Sequence, residues 1–427
     1  MSTTVIILIV GFFLLVALGV PVAFAIGASA IFSIIVDGSL TAMIVPQRMF
    51  VMMDSFSLMA IPLFLLAGEL MSVGGITKRI VRFASAMVGH LRASLAHVTI
   101  LSSMLMAGIS GSASADTSAI GSIMIPAMVD EGYDEDLAVC VVASANTVGP
   151  IIPPSIMMII FGSMTGASIG AMFLGGIVPG ELMGLSLMVI VSMVTKKRQY
   201  PSKPKASAQD RWKAFASALA ALLMPVIILG GILSGIFTAT EAGAVACIYA
   251  LIFGIATRNL NIKNLYELMK NAVMGTTIPM FIIGIAAVFG WIMTRYNFPQ
   301  AIAAGLFNFT SNPTVFILLV MGLYFILGMF MEANAGMIIM TPIIYPIALA
   351  YGFSAVHLGV ITVVMFCIGS VTPPVGLQLF IACSIAKIPL SRVIKTVWPY
   401  VIALTVVCLL CAVFPFLVEF VPNLLMN

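Results

Sequence analysis

Gly149-Pro150-Ile151-Ile152-Pro153-Pro154 recurs 220 positions later as Gly369-Ser370-Val371-Thr372-Pro373-Pro374. Both copies interrupt long apolar segments. A glycine with paired prolines does not continue an α-helix, because donors are missing and the ring clashes with the preceding turn. In lipid, each backbone group freed this way is costly unless protein, ion or water satisfies it. Two interrupted helices at matching places in two halves are the sequence mark of a secondary-transporter binding site.

The surrounding composition fits that reading. The chain of 427 residues is 62% hydrophobic and 8% charged, against roughly a quarter charged in soluble domains. Apolar runs long enough to span a bilayer recur along its length, so a polytopic helical membrane protein is expected. The first residues have no Lys or Arg cluster before Ile6 and no small-residue cleavage site, so they are read as a retained span. The net charge of +4 sits in short loops and is no nucleic-acid signal. The six cysteines and three histidines lack metal-ligand spacing, and no Walker loop occurs.

One polar linker, 196–213, carries seven of the nineteen basic residues: Lys196, Lys197, Arg198, Lys203, Lys205, Arg211 and Lys213. It divides the chain into 1–195 and 214–427, and the positive-inside rule places it in the cytoplasm. The halves align. At the 220-residue offset Pro126 meets Pro346, Gly132 meets Gly352, and Pro179 meets Pro399, alongside the glycine and prolines already quoted. Composition predicts fewer than about one such coincidence in this window, so the chain is read as a duplication. Upstream, Ile61-Pro62-Leu63-Phe64 matches Ile278-Pro279-Met280-Phe281.

The basic stretches Lys78–Arg92, Arg258–Lys270 and Lys387–Lys395 are assigned to the cytoplasm. The segment 94–129 is broken by Gly108 to Asp116, leaving each arm short for a full crossing, which needs ~20 residues. It is expected to be a re-entrant hairpin. A second hairpin is expected at 314–350, entering from the other side. Discontinuous helices are expected at 137–165 and 355–384. Crossings are read at 4–19, 21–36, 46–73, 171–195, 214–236, 238–256, 271–293 and 396–420. Each half then has an odd number of crossings, so the repeats are inverted and both termini are periplasmic. The expected class is an all-α polytopic membrane protein.

The first hairpin tip offers oxygen ligands from Ser110, Ser112, Ser114, Asp116, Thr117 and Ser118, and the unwound Gly149–Pro154 backbone offers carbonyls. Oxygen ligands without sulfur or imidazole suit a hard cation. The second half offers Gly328, Glu332, Asn334, Gly336, Gly369, Ser370 and Thr372, and by internal symmetry a second cation is expected there. Substrate is expected between the tips, with Ser114, Asp116, Glu332 and Asn334 as its candidate contacts. A small-residue packing face would explain the glycines and alanines but not a carboxylate at membrane depth. Glu69 and Glu241 fall in apolar stretches and suit a structural pair or a polar path equally. Arg295 is read as snorkelling, with contact to a substrate carboxylate as the lesser reading, and Arg48 and Asp54 as outer-surface positions open to a partner.

Gly111-Ser112-Ala113-Ser114-Ala115-Asp116, Ile125-Pro126, Gly132-Tyr133-Asp134, Gly149 to Ser155, Gly176-Ile177-Val178-Pro179-Gly180 and Thr372 to Leu377 together resemble the large membrane subunit of tripartite ATP-independent periplasmic (TRAP) transporters, the DctM type. The likeness runs over essentially the whole chain. It implies a sodium-driven importer of organic acids, with sialic acid favoured over C4-dicarboxylates. It implies a scaffold plus an elevator-type transport domain. It also implies a bacterial inner-membrane location, a periplasmic substrate-binding protein and a small four-helix membrane subunit, here expected as a separate chain. By the same resemblance, one sodium site uses Ser110, Ser112, Gly149, Ile152 and Pro154. A second uses Gly328, Gly369, Thr372 and Val375. Proton coupling and a passive anion channel are the competing readings. An intramembrane protease would need a Ser–His or paired-Asp constellation, and the histidines sit away from the tips, so no enzyme is expected.

Overall fold

Both Gly-to-Pro stretches break their helices in the computed structural model, which describes residues 3–196 and 200–426. Of the basic linker, Lys197, Arg198 and Gln199 lie outside the described residues. Among the described residues the chain forms twenty α-helices and one short 3-10 turn, and eight helices are long and apolar enough to cross a membrane.

The first half opens with α1 (Thr3–Ala17) and α2 (Val22–Asp37), joined through Gly19, whose φ of +81° turns the chain at little steric cost. The expected single crossing at 46–73 is two pieces: α3 (Ile44–Met53), then the 3-10 turn Phe56–Met59 running into α4 (Ala60–Val73). Asp54 leaves helical geometry and Ser55 is extended. Polar Gln47, Arg48, Asp54 and Ser55 crowd this segment, and a continuous span would carry them into lipid. The basic α5 (Ile76–Val88) turns Ile76, Thr77, Ile80 and Ala84 inward and its charges outward.

Then come α6 (Ser94–Ser110) and α7 (Ala113–Asp130), a hairpin with its tip at Gly111-Ser112. The first discontinuous helix is α8 (Glu135–Asn146) and α9 (Ile156–Thr165), followed by α10 (Ile169–Val194). The second half continues with α11 (Ala208–Leu233), α12 (Ala239–Ala256), the long α13 (Ile262–Arg295) and a short, unforeseen α14 (Phe298–Phe309). The second hairpin is α15 (Pro313–Phe330) and α16 (Ala333–Ala350), and the second discontinuous helix is α17 (Ala355–Gly369) and α18 (Leu377–Ala386). The expected crossing at 396–420 is also two pieces, α19 (Leu390–Val413) and α20 (Phe416–Met426). Phe414, held extended before Pro415, ends the first piece.

The 220-residue offset extends to element boundaries. Ser110 and Phe330 end the first hairpin arms, Ala113 and Ala333 begin the second arms, and Asp130 and Ala350 end them. Gly132 and Gly352 then adopt φ of +85° and +84°.

The discontinuous helices lie innermost. α8, α9 and α17 are buried over most of their length. The flanking α1, α2, α13 and α19 each present an exposed apolar strip, such as Val10, Phe13 and Leu14, or Val273, Met274 and Ile278, as lipid-facing helices do. Polar contacts tie one end of the molecule together. Arg392 pairs with Glu135 at 2.6 Å, Thr396 donates to Asp136 at 2.6 Å, and Tyr200 donates to Asp134 at 2.8 Å. Tyr133 stacks on Tyr200 with ring centres 4.1 Å apart, and burial pushes its phenol up to about 12. At the opposite end Thr4 and Tyr296 donate to Asp37, joining α1, α2 and α13. Glu241 proves to be a helix-end residue. It completes a capping box with Thr238 and is exposed, a structural role.

The backbones approach closely where the second hairpin meets the second discontinuous helix. A Cβ added at Gly369 would stand 2.5 Å from Gly328 Cα, whereas one added at Gly322, also in α15, would meet nothing within 4 Å. Gly369→Ala is therefore expected to destabilise the protein by about 1–3 kcal/mol. Gly322→Ala is expected to be neutral or slightly stabilising, by up to about 1 kcal/mol. Thermal unfolding of the two variants in the same detergent checks this, with a larger loss for the second variant as the contrary result.

Candidate functional site

The two hairpin tips approach one another across the interrupted segments of the discontinuous helices. At the first, Gly111 has φ of +61°, and a Cβ there would stand 2.6 Å from the Pro154 carbonyl oxygen. Only glycine lets the tip close onto that carbonyl. Ser112 then caps α7.

Asp116, one turn into α7, is fully buried. Its Oδ1 accepts a 2.6 Å hydrogen bond from Ser110 Oγ, and Ser110 Oγ also accepts from the Ser112 backbone N–H at 3.3 Å. Its Oδ2 has no partner among the described residues. That orphan oxygen faces the interruption: a Cβ on Gly149 would stand 2.9 Å from it. Asn146, at the end of α8, is also buried, and its Oδ1 is likewise unpartnered while its Nδ2 donates to the Val142 carbonyl at 2.8 Å. Buried acceptors without donors are costly in apolar surroundings. Asp116 Oδ2 and the Asn146 backbone carbonyl, the latter 3.1 Å from the same Cβ position, flank the glycine beside unwound backbone and form an oxygen-rich cradle that fits a small hard cation. Ser155 donates to the Pro150 carbonyl and caps α9.

The second tip is different chemistry on the same frame. Gly328 and Gly369 pack backbone to backbone. Thr372 Oγ1 donates to the Ile368 carbonyl at 2.7 Å and Ser370 Oγ to the Cys367 carbonyl at 2.7 Å. Val375 is about half exposed at 46%. The residue 220 positions after Asp116 is Gly336, and the one 220 after Asn146 is Phe366. A Cβ on Gly336 would stand 2.3 Å from the Phe366 ring. An aromatic ring therefore fills the place that a carboxylate and an amide occupy in the first half.

Between the tips lies a small cavity of about 50 Å³ lined by Ser112, Ser114, Glu332, Asn334, Ser370 and Gln378 among others. Three of the four candidate substrate contacts, Ser114, Glu332 and Asn334, meet here. Asp116 does not line this cavity; it lies behind the tip, on the Gly149 side. Glu332 caps α16, accepting from the Ala335 N–H at 2.9 Å and from Asn334 Nδ2 at 2.6 Å. The cavity is well below the ~300 Å³ of small-molecule pockets. The tips must part for any molecule of that size to enter.

Sequence reading missed Gln378 and Asn146. Gln378 Oε1 accepts from Thr117 at 2.9 Å, its Nε2 donates to Ser114 Oγ at 3.2 Å, and its backbone N–H donates to Ser370 at 2.9 Å. It thereby joins α18 to the first hairpin. The available signal was an amide two residues after Gly376, opening an otherwise apolar half-helix. Asn146 carried a similar mark, three residues before Gly149.

A model of the tripartite ATP-independent periplasmic transporter DctM component matches residues 9–417. The chain belongs to the DctM family of TRAP transporters. Among TRAP relatives it is 38% identical to the sialic acid TRAP transporter large permease protein SiaM of Vibrio cholerae, over 96% of each chain. It is also 38% identical to the C4-dicarboxylate TRAP transporter large permease protein DctM of Pseudomonas aeruginosa, over 88% of each. The solved YdaH transporter of Alcanivorax borkumensis, described as having an unusual topology, shares the fold at a TM-score of 0.59 and 13% identity, covering 83% of this chain and 85% of that one. TRAP large permeases are transporter subunits rather than enzymes. Membership places the chain in a bacterial inner membrane, in company with a small membrane subunit and a periplasmic binding protein.

Thr117 and Gln378 are expected to be energetically coupled. A double-mutant cycle with Thr117→Val and Gln378→Leu should give about 0.5–1.5 kcal/mol of interaction in unfolding measurements. Additive losses would show that the bridge contributes nothing beyond its separate ends.

Proposed function

We propose that this large permease imports organic acids together with sodium ions, with sialic acid favoured over C4-dicarboxylates. The observation that carries the sodium reading is the buried, unpartnered Asp116 Oδ2 facing Gly149 within an interrupted helix. Sodium there would take oxygen from Asp116, Asn146 and the unwound backbone around Gly149, Ile152 and Pro154, with Ser110 and Ser112 fixing the tip. A second ion would rest on neutral oxygens around Gly328, Gly369, Thr372 and Val375, which supply dipoles but no formal charge. The substrate preference leans on likeness to SiaM, 38% identical over 96% of each chain.

Substrate then lies between the tips, against Ser114, Glu332 and Asn334. The two halves act as inverted repeats. The linker 196–213 lies in the cytoplasm and both termini lie in the periplasm, which puts the first hairpin on the inner side and the second on the outer. The hairpins and discontinuous helices form a moving transport unit, and the lipid-facing α1, α2, α11, α12 and α13, with α4 packed inside them, form its scaffold. Supporting this division, the discontinuous helices are wrapped by other elements while the outer helices carry the apolar strips. Such an elevator exchanges access without opening a continuous pore.

Uptake into vesicles holding the permease, its small subunit and the binding protein tests this. Asp116→Asn is expected to cut sodium-driven uptake by about a hundredfold or more, by removing a buried charge from the ion's shell. It should also lower the sodium Hill coefficient by about one. Gly149→Ala, which crowds the same oxygen, should act similarly. Unchanged sodium dependence in both variants would overturn the ion assignment. Full uptake by the wild type under a pH gradient without sodium would favour proton coupling instead.

A further inference from the structure

Two clefts separate the proposed scaffold from the hairpins, one toward each end of the molecule. The first, of about 360 Å³, has Arg48, Trp291 and Thr294 on one wall and Thr341, Pro342 and Tyr345 of α16 on the other. The second, of about 560 Å³, has Ser72, Thr77 and Lys78 on one wall and Ala119 and Ser122 of α7 on the other. The duplication relates them. Ser122 and Pro342 stand at the 220-residue offset, and Thr77 and Thr294 at the 217-residue offset that also pairs Pro62 with Pro279. Each cleft therefore has a hairpin arm for one wall, and the other wall is made by α3 and α13 in the first and by α4 and α5 in the second.

Their charges agree. Each is lined by a single cation, Arg48 in one and Lys78 in the other, and by no carboxylate among the described residues. Among those residues neither cation forms a salt bridge. Arg48 is held all the same. Its guanidinium lies over the Trp291 ring, 5.0 Å from the centroid. Stacking fixes the plane of the group and leaves its N–H fork directed at whatever enters. A planar fork matches a carboxylate with two parallel hydrogen bonds. Low-dielectric walls concentrate the field of one charge within a cleft.

We infer that these clefts are paired vestibules for the anionic substrate, in which Arg48 on its Trp291 platform receives the carboxylate at one mouth and Lys78 does so at the other. This rests on the organic-acid reading above and adds to it the residues that meet the acid outside the closed tips. Arg48 is thus a specificity-determining residue rather than a surface anchor. The stacked arginine suits selective entry, and Lys78, without a salt bridge among the described residues, suits release.

Trp291 reports on its own neighbour. With Trp212→Phe and Trp398→Phe, it becomes the sole tryptophan of the 427-residue chain. N-acetylneuraminate and malate, titrated into the permease with its small subunit, should each change Trp291 fluorescence saturably. The methyl ester of N-acetylneuraminate should not. Arg48→Gln should weaken half-saturation roughly two- to fivefold, the range for a solvent-accessible charge contact, and Arg48→Lys should restore part of it. Lys78→Gln should leave that titration unchanged while slowing efflux from preloaded vesicles. The concentration of binding protein needed for half-maximal uptake should be the same in the Arg48 variants, because the contact is with the acid. If acid and ester titrate alike, or Arg48→Gln binds as wild type does, the vestibule assignment falls even where sodium-driven uptake is intact. If the wild type takes up neither acid under a sodium gradient but Trp291 still titrates through Arg48, the transport reading falls and the anion contact stands.

Discussion

The structure depends on how backbone oxygens released inside an apolar segment are satisfied. Prolines at 153–154 and 373–374 prevent helical pairing just where no water is expected, and each hairpin answers with a glycine. Gly111 lets one tip reach the Pro154 carbonyl, and Gly328 lets the other hairpin meet Gly369 backbone to backbone. The tips, the interruptions and the small residues between them therefore form one assembly, because none of these backbone breaks is tolerable at membrane depth without the others. Two buried acceptors without a partner among the described residues, Asp116 Oδ2 and Asn146 Oδ1, belong to residues beside the first interruption, where a cation would have most to gain.

Much of this frame was legible in the sequence because it is written in residues with strong backbone consequences. Glycine and proline at a fixed offset gave both hairpins, both discontinuous helices and their boundaries to within a few residues. Breaks made by weaker signals were lost. The 46–73 segment reads as one crossing because Asp54 and Ser55 are ordinary residues whose helix-ending role depends on their polarity in context. Pro415 had the power to end α19, yet it lay within a hydrophobic run that reads as continuous. The short α14, opened by Pro299, has only 12 residues, too few to read as a crossing. Glu241 looked like an intramembrane charge until the capping geometry with Thr238 placed it at a helix start.

Side-chain chemistry was less legible than backbone, for a physical reason. Duplication preserves where the chain must turn, but each half fills the resulting space separately. Asp116 and Asn146 in one half correspond to Gly336 and Phe366 in the other, and only the packed structure shows the phenyl ring seated on the glycine. The same applies to Gln378, whose partners Thr117 and Ser114 lie more than 260 residues away along the chain. No local pattern announces such a contact. The outcome is a frame with internal symmetry holding one charged cradle and one neutral one, so two ions bound there would differ in their sensitivity to nearby charge.

The most direct test is a pair of high-resolution density maps of the permease complex, one prepared in sodium and one in choline. The account requires a density feature enclosed by the Asp116 carboxylate, Asn146 and the carbonyls of the Gly149–Pro154 segment in sodium, absent in choline, with the first hairpin tip closed over it. Maps that are identical at this position in both salts, or a regularly bonded helix running unbroken through the segment, would contradict it.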